Sequence, residues 1–305
     1  MNEQERDILI ESIEEREKLR PISRIARLFR APRRTIPYYV LAAASHIKPF
    51  LLTFRTPWGE KMTCFLPEGN TFLYYGYAEA NLTNFFLRYI QEGMTCIDVG
   101  SHIGSYTMLF SKLTGPTGRV HSFEPTSWTF ELLVRNTHSL ENVITNNKAV
   151  AKAAGKISFL DYGPGFGAYN TADKQGAPAL TQIPKVTEVM SLSLDEYCRD
   201  QEIFPVDIIK IDAEGYEYHV LSGMTTLLKK KGTRPLITLE VAGGKVWEEN
   251  RNLSFTALSE NGYHAYDIHT SGLIRPHVPR LDYEYDNILF VPQERLSMIA
   301  QFLAP

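Results

Sequence analysis

The chain has 305 residues, 44% of them hydrophobic and 22% charged, an ordinary composition that excludes a wholly disordered, collagen-like or coiled-coil protein. Its 32 Lys and Arg against 35 Asp and Glu leave a net charge of −3, which argues against nucleic acid as a partner. No apolar run approaches the roughly 18 residues of a membrane helix, and Cys64, Cys96 and Cys198 are too few and too scattered for a disulfide framework or a zinc site.

The start, MNEQERDILIESIEERE, is acidic and has no basic-then-apolar leader, so a cytoplasmic protein is expected. Charge is uneven: residues 1–15 carry six acids and one base, whereas residues 16–34 carry eight bases and one acid. Ile22, Ile25, Ala26, Leu28 and Phe29 lie between the arginines, so 16–34 reads as one basic amphipathic helix. Such a helix can pack on its own domain, join a homo-oligomer, or make peripheral contact with an anionic membrane. Beyond several prolines, FLLTFRTPWGEKMTCFLP predicts two strands around a turn at Pro57–Gly59, and a helix is expected over about Glu79 to Gln91.

From Gly93 strands alternate with helices. MTCIDVG, RVHSFEP, VITNNKAV, VDIIKIDAEG and PLITLEVAG read as strands, with helices over SYTMLFSKLTG, SWTFELLVRNTHSL and EYHVLSGMTTLLKK. KISFLDYG, a Gly-rich run from Gly163 to Gly167 and VTEVMSLSLDEY interrupt the alternation; a helix over about Ser254 to Asn261 and the strands YHAYDIH and NILFVP close the chain. The expected fold is α/β: a Rossmann-like, mostly parallel sheet with helices on both faces, plus an N-terminal helical and β extension. The extension is drawn over 1–60 and the main domain over 61–305, with its core at 93–241. In such sheets ligands sit beyond the carboxyl ends of the strands, where Asp98, Glu124, Asp212 and Glu240 stand.

Asp98-Val-Gly100-Ser101-His102-Ile-Gly104 follows a strand and opens a helix. Gly100 allows a tight turn and close approach of a ligand, and Gly104 lets the helix pack near the strand. A dinucleotide fingerprint needs a glycine where His102 stands, and no Tyr-x-x-x-Lys pair occurs, which weighs against an NAD-linked oxidoreductase. The D-x-G-x-x-x-G spacing resembles instead the first motif of S-adenosylmethionine-dependent methyltransferases. Glu124 follows at the next strand end, where an ionised carboxylate can accept both ribose hydroxyls.

CIDVGSHIGSYT, VHSFEP and above all IIKIDAEGYEYHVLSG closely resemble the FkbM family of methyltransferases, over about Gly93 to Val241. That resemblance implies a class I methyltransferase sheet, S-adenosylmethionine as methyl donor, and a small-molecule or glycan acceptor. It implies that Asp98 through Gly104 line the methionine part, that Glu124 holds the ribose, that Asn147 to Val150 with Ala149 approach the adenine, and that Asp212 stands beside the sulfonium. A sugar hydroxyl is the expected acceptor, with an amide or amine nitrogen as the alternative. A hydroxyl attacks poorly unless its proton is accepted, and Asp212, Glu214 and Glu240 are the available bases. Alternatively Asp212 and Glu240 bind a divalent cation such as Mg, with acceptor oxygens completing its shell. Glu79 can face the acceptor or merely start its helix; His269 and His277 can touch the acceptor or lie at the surface. Tyr74, Tyr75 and Tyr77 read as aromatic core or a sugar-stacking face, and Cys96 reads as core.

Overall fold

The computed structural model describes residues 1–167, 170–172 and 183–304. Three helices come first: α1 (Glu3–Glu17), α2 (Arg24–Arg30) and α3 (Pro32–Ile47). The single basic helix expected over 16–34 is thus corrected to the end of one helix, a turn, a second helix and the start of a third. Pro21 lies in the turn, the Ser23 side chain accepts the Ala26 N–H to cap α2, and Pro32 opens α3, where its missing N–H costs nothing.

A hairpin of β1 (Phe50–Arg55) and β2 (Lys61–Leu66) comes next, paired antiparallel from Phe50↔Leu66 to Arg55↔Lys61 as the turn residues predict. A division at 60/61 passes through this hairpin. Nor does it separate two cores: Ile10 and Ile13 of α1 pack with Phe85 and Phe86 of α5 (Ala80–Tyr89), which comes after α4 (Asn70–Tyr75). Arg6 donates to the carbonyls of Leu87 and Ile90, satisfying acceptors at the end of α5 that no helical N–H reaches.

The main sheet is laid down by β3 (Thr95–Val99), α6 (Ser105–Thr114), β4 (Arg119–Phe123), α7 (Ser127–Thr137) and β5 (Val143–Asn146). The strand expected over VITNNKAV splits here, because Asn146 and Asn147 turn the chain by donating to the carbonyls of Ser122 and Glu124. Its second half, β6 (Ala149–Val150), joins β7 (Gly155–Asp161) and β8 (Lys185–Leu192) in a separate three-stranded sheet, the interruption in the alternation. Between β7 and β8, residues 168–169 and 173–182 lie outside the described residues.

After α8 (Leu194–Asp200) the chain returns through β9 (Ile208–Ile211), α9 (Glu217–Ser222), α10 (Thr225–Lys229) and β10 (Leu236–Val241). The one helix expected over 217–230 breaks at Gly223, where an added Cβ would lie 2.1 Å from the Ala151 carbonyl. The helix expected from about 254 starts earlier, as α11 (Lys245–Glu260), and β11 (Tyr263–Ile268), β12 (Ile274–Pro276) and β13 (Asp286–Pro292) finish the sheet.

The strand order is β12-β11-β13-β10-β9-β3-β4-β5. The five strands from β10 to β5 are parallel, and β13 inserts antiparallel between β10 and β11. β9 and β10 are buried throughout, as parallel strands covered on both faces must be. The chain runs outward from β3 to β5 and resumes on the other side at β9, so the order reverses between β3 and β9. That reversal opens a crevice at the carboxyl ends, and the candidate site lies there.

Candidate active site

A cavity of about 490 Å³ occupies the crevice. Its first half is shaped by backbone. Gly100 has φ +72°, and an added Cβ would sit 1.7 Å from the Asp212 carbonyl, so only glycine lets the turn after β3 pass the end of β9. Gly104 has φ +90°, and an added Cβ would sit 2.7 Å from Leu133 of α7, so the glycine also lets α6 lie close to α7. Ser101 ties the turn to β4 by donating to the Phe123 carbonyl at 2.9 Å.

Glu124 lies on the wall, 6% exposed, and accepts the N–H of His102 at 3.1 Å and that of Thr126 at 2.9 Å. Burial raises its pKa against the pull of His102 and the backbone donors. His102, at φ +50°, holds its ring 3.0 Å from Glu68; burial opposes the imidazolium, but Glu68 prevails and its pKa is raised. Lys148, Ala149 and Val150 continue the wall, and Ile157 and Phe159 of β7 close it with apolar surface. A glycine cradle, a fixed carboxylate and an apolar slot fit an adenosine with its ribose hydroxyls.

The second half is shaped by charge. Lys210, 2% exposed, lies 2.8 Å from Asp212 and 3.7 Å from Asp98, its neighbour across the β3–β9 ladder. Burial alone favours the neutral amine, but Asp212 and Asp98 hold it protonated, above its ordinary value. In return Asp212 is held below the usual carboxylate range, since Lys210 outweighs the burial. Glu214 and Glu240 are driven well above that range by burial and by Asp212. Of the three carboxyl groups, Asp212 is thus the one whose charged form the site favours.

Oxygens of Asp212, Glu214 and Glu240 lie within 4.8 Å of one another. Asp212 and Glu214 line the cavity, whereas Glu240 is 3% exposed, stands behind the wall, and has an Oε2 without a hydrogen-bond partner among the described residues. The loop carrying Asp212 and Glu214 is held by Glu217, which accepts from Ala213 N–H at 3.0 Å and Gly215 N–H at 3.1 Å.

The expected residues are therefore not all on the wall. Gly100, Ser101, His102, Glu124, Ala149, Asp212 and Glu214 line the cavity; Asp98 and Gly104 do not. Asp98, expected on the methionine part, is fully buried one layer down, accepting from Thr107 at 2.6 Å with its carboxylate toward Lys210. Glu79 does reach the cavity. It stands at the start of α5 without capping it, and accepts instead from the Tyr106 hydroxyl at 2.9 Å and the Asn287 amide. His269 and His277 are not on the wall, and Tyr74, Tyr75, Tyr77 and Cys96 are core.

Sequence reasoning missed Lys210, Tyr106, Tyr285, Ile157, Phe159 and Arg20, all of which line the cavity. Only Lys210 left a signal: a lysine inside the apolar strand IIKI must be paired with buried charge.

The model of the methyltransferase FkbM domain matches residues 98–285. The chain belongs to the FkbM methyltransferase family. A hexuronic acid methyltransferase of Haloferax volcanii, AglP, is 27% identical over 152 residues, a match that covers 50% of this chain and 58% of that protein. An FkbM methyltransferase from Methylobacillus flagellatus superposes with a TM-score of 0.41 at 15% identity, over 73% of this chain and 54% of that one. Fibrillarin from Aeropyrum pernix, solved with S-adenosyl-L-methionine, gives 0.42 at 14% identity over 70% and 76%. At those scores neither superposition informs the site. No described helix is long and apolar enough to cross a membrane.

Proposed function

We propose that the protein methylates a hydroxyl of a sugar or sugar-bearing acceptor. One observation carries this reading: Asp212, kept ionised by Lys210, opens onto the same cavity as Glu124. The sugar acceptor is supported by the relative whose name is a hexuronic acid methyltransferase, of which the match spans 58%.

When bound, S-adenosylmethionine would supply a methyl group activated on a sulfonium, whose carbon–sulfur bond breaks, leaving its electron pair on sulfur, as the methyl passes to the acceptor oxygen. The chain's part is alignment and proton handling. Glu124 would accept hydrogen bonds from the ribose hydroxyls, and Ile157, Phe159 and Ala149 would hold the adenine. Asp212 faces the acceptor hydroxyl, orients it, and takes its proton as the oxygen–methyl bond forms. At Glu214 and Glu240, burial and the charge of Asp212 oppose ionisation, and Glu79 with Tyr106 and Tyr285 shapes the acceptor wall.

A second reading rests on the spacing of the carboxylates. Asp212, Glu214 and Glu240 offer three hard oxygen ligands within 4.8 Å, one more than the pair expected from the strand ends. A divalent cation held there would polarise the acceptor oxygen, at the cost of the protons on Glu214 and Glu240.

The test is product analysis with methyl-labelled S-adenosylmethionine and a panel of uronic acid, hexose and amine acceptors, with magnesium and with chelator. Label on sugar oxygen in chelator supports the first reading, and activity restored only by the ion supports the second. Label on nitrogen overturns the hydroxyl assignment.

A further inference from the structure

Helix α3 carries apolar side chains on two sides: Tyr38 and Leu41 pack inward, and a second set faces out. The two of its residues classed as buried are Thr35 and Ser45, whose hydroxyls bond to the carbonyls of Arg27 and Ala42. Ile36, Val40 and Ile47 are 55%, 65% and 88% exposed. Pro37, Ala43 and Ala44 are exposed as well, so residues at three- and four-residue spacing form one apolar stripe along the outer side of the helix. α2, tied to α3 by the Tyr39 hydroxyl donating to the Arg24 carbonyl, adds Ile25 and Phe29, 69% and 83% exposed.

The charge around this stripe has one sign. Between Glu17 and Glu60 the sequence has no acid and nine Lys or Arg. Some are used internally: Arg27 and Arg34 donate to backbone carbonyls, and Arg20 pairs with Glu17. Arg24, Arg30, Arg33 and Lys48 are exposed and form no ion pair among the described residues.

We propose that α2 and α3 are the docking surface for an anionic lipid bilayer. α3 lies in the interfacial plane, with Ile36, Val40 and Ile47 toward the acyl chains and the free arginines among headgroup phosphates. A second copy of the chain could also cover an apolar face. A two-fold contact, however, would set two basic, acid-free surfaces against each other with no countercharge. The same segment reaches the cavity, since Arg20, between α1 and α2, is on its wall.

The test floats the 305-residue chain with phosphatidylcholine vesicles, with and without phosphatidylglycerol, at low and high salt. Flotation is expected only with the anionic vesicles and falls as salt rises. Partitioning drops about fivefold for each of Arg24→Gln, Arg30→Gln and Arg33→Gln. It drops at least about tenfold for Val40→Glu with Ile47→Glu, while S-adenosylmethionine affinity and melting temperature stay as in wild type. Absence of flotation at low salt, equal binding to uncharged vesicles, or undiminished binding by the double variant overturns the proposal. So does a wild-type dimer that the double variant turns into a monomer without either floating.

Discussion

On one side of the cavity, Gly100, the N–H groups of His102 and Thr126, and Glu124 come from a single run of chain between β3 and α7. On the other, Glu79, Lys210 and Asp212, backed by Glu240 and Asn287 behind the wall, come from widely separated places, and the bond from Asn287 to Glu79 spans 208 residues. The first side is a shape, fixed by backbone that only glycine can adopt. The second is a balance of charges, in which one lysine decides which of several carboxylates ionises. A shape fails by losing affinity, whereas a charge balance fails by losing rate.

The largest effect is expected at Asp212. Asp212→Asn keeps the size of the side chain and removes the proton acceptor, so kcat should fall by about 10²–10⁴. S-adenosylmethionine affinity should hold; steady-state kinetics beside a binding titration separates the two. Glu124→Ala should do the reverse. Loss of hydrogen bonds to a charged acceptor weakens S-adenosylmethionine binding by about 10- to 100-fold, read by calorimetry.

The charge balance itself can be moved by pH. Because Lys210 depresses Asp212, the acid limb of the kcat/KM profile should lie below the usual carboxylate range. In Lys210→Met that limb should shift to higher pH. Glu240 has the opposite sign: its folded-state pKa is raised, so its contribution to stability is full below the unfolded value and is lost as pH rises through the folded one. Glu240→Gln should therefore flatten the decline of stability toward alkaline pH, measured by urea unfolding across a pH series. The smallest effect is expected on the apolar slot. Ile157→Ala removes part of the adenine wall and should cost roughly three- to tenfold in S-adenosylmethionine affinity with kcat unchanged.

The two sides also differed in what the sequence disclosed. The alternation from Gly93 onward, the glycine turn after β3 and Glu124 were legible because each is local: a strand, a turn and a helix start within a few residues. Asp98 was read by the same local logic, and the structure sets it behind the cavity wall. A strand-end acid looks like a wall residue until Lys210, on the neighbouring strand, shows where its charge is needed. Tyr285 and Arg20 were invisible, since one comes from the tail and the other from the N-terminal turn, and neither belongs to a motif. The basic helix over 16–34 failed for a simpler reason. Charge and apolar spacing were read across Pro21, which lies in the turn after α1, and Pro32, which begins a new helix.

The most direct test of the account is one calorimetric series: S-adenosylmethionine titrated into wild type, Glu124→Ala and Asp212→Asn. The account predicts tight binding by wild type, binding lost or weakened at least about tenfold in Glu124→Ala, and wild-type affinity in Asp212→Asn. Full affinity in Glu124→Ala, or binding abolished by Asp212→Asn in a folded protein, would contradict the division of the cavity into a side that holds the cofactor and a side that handles the proton.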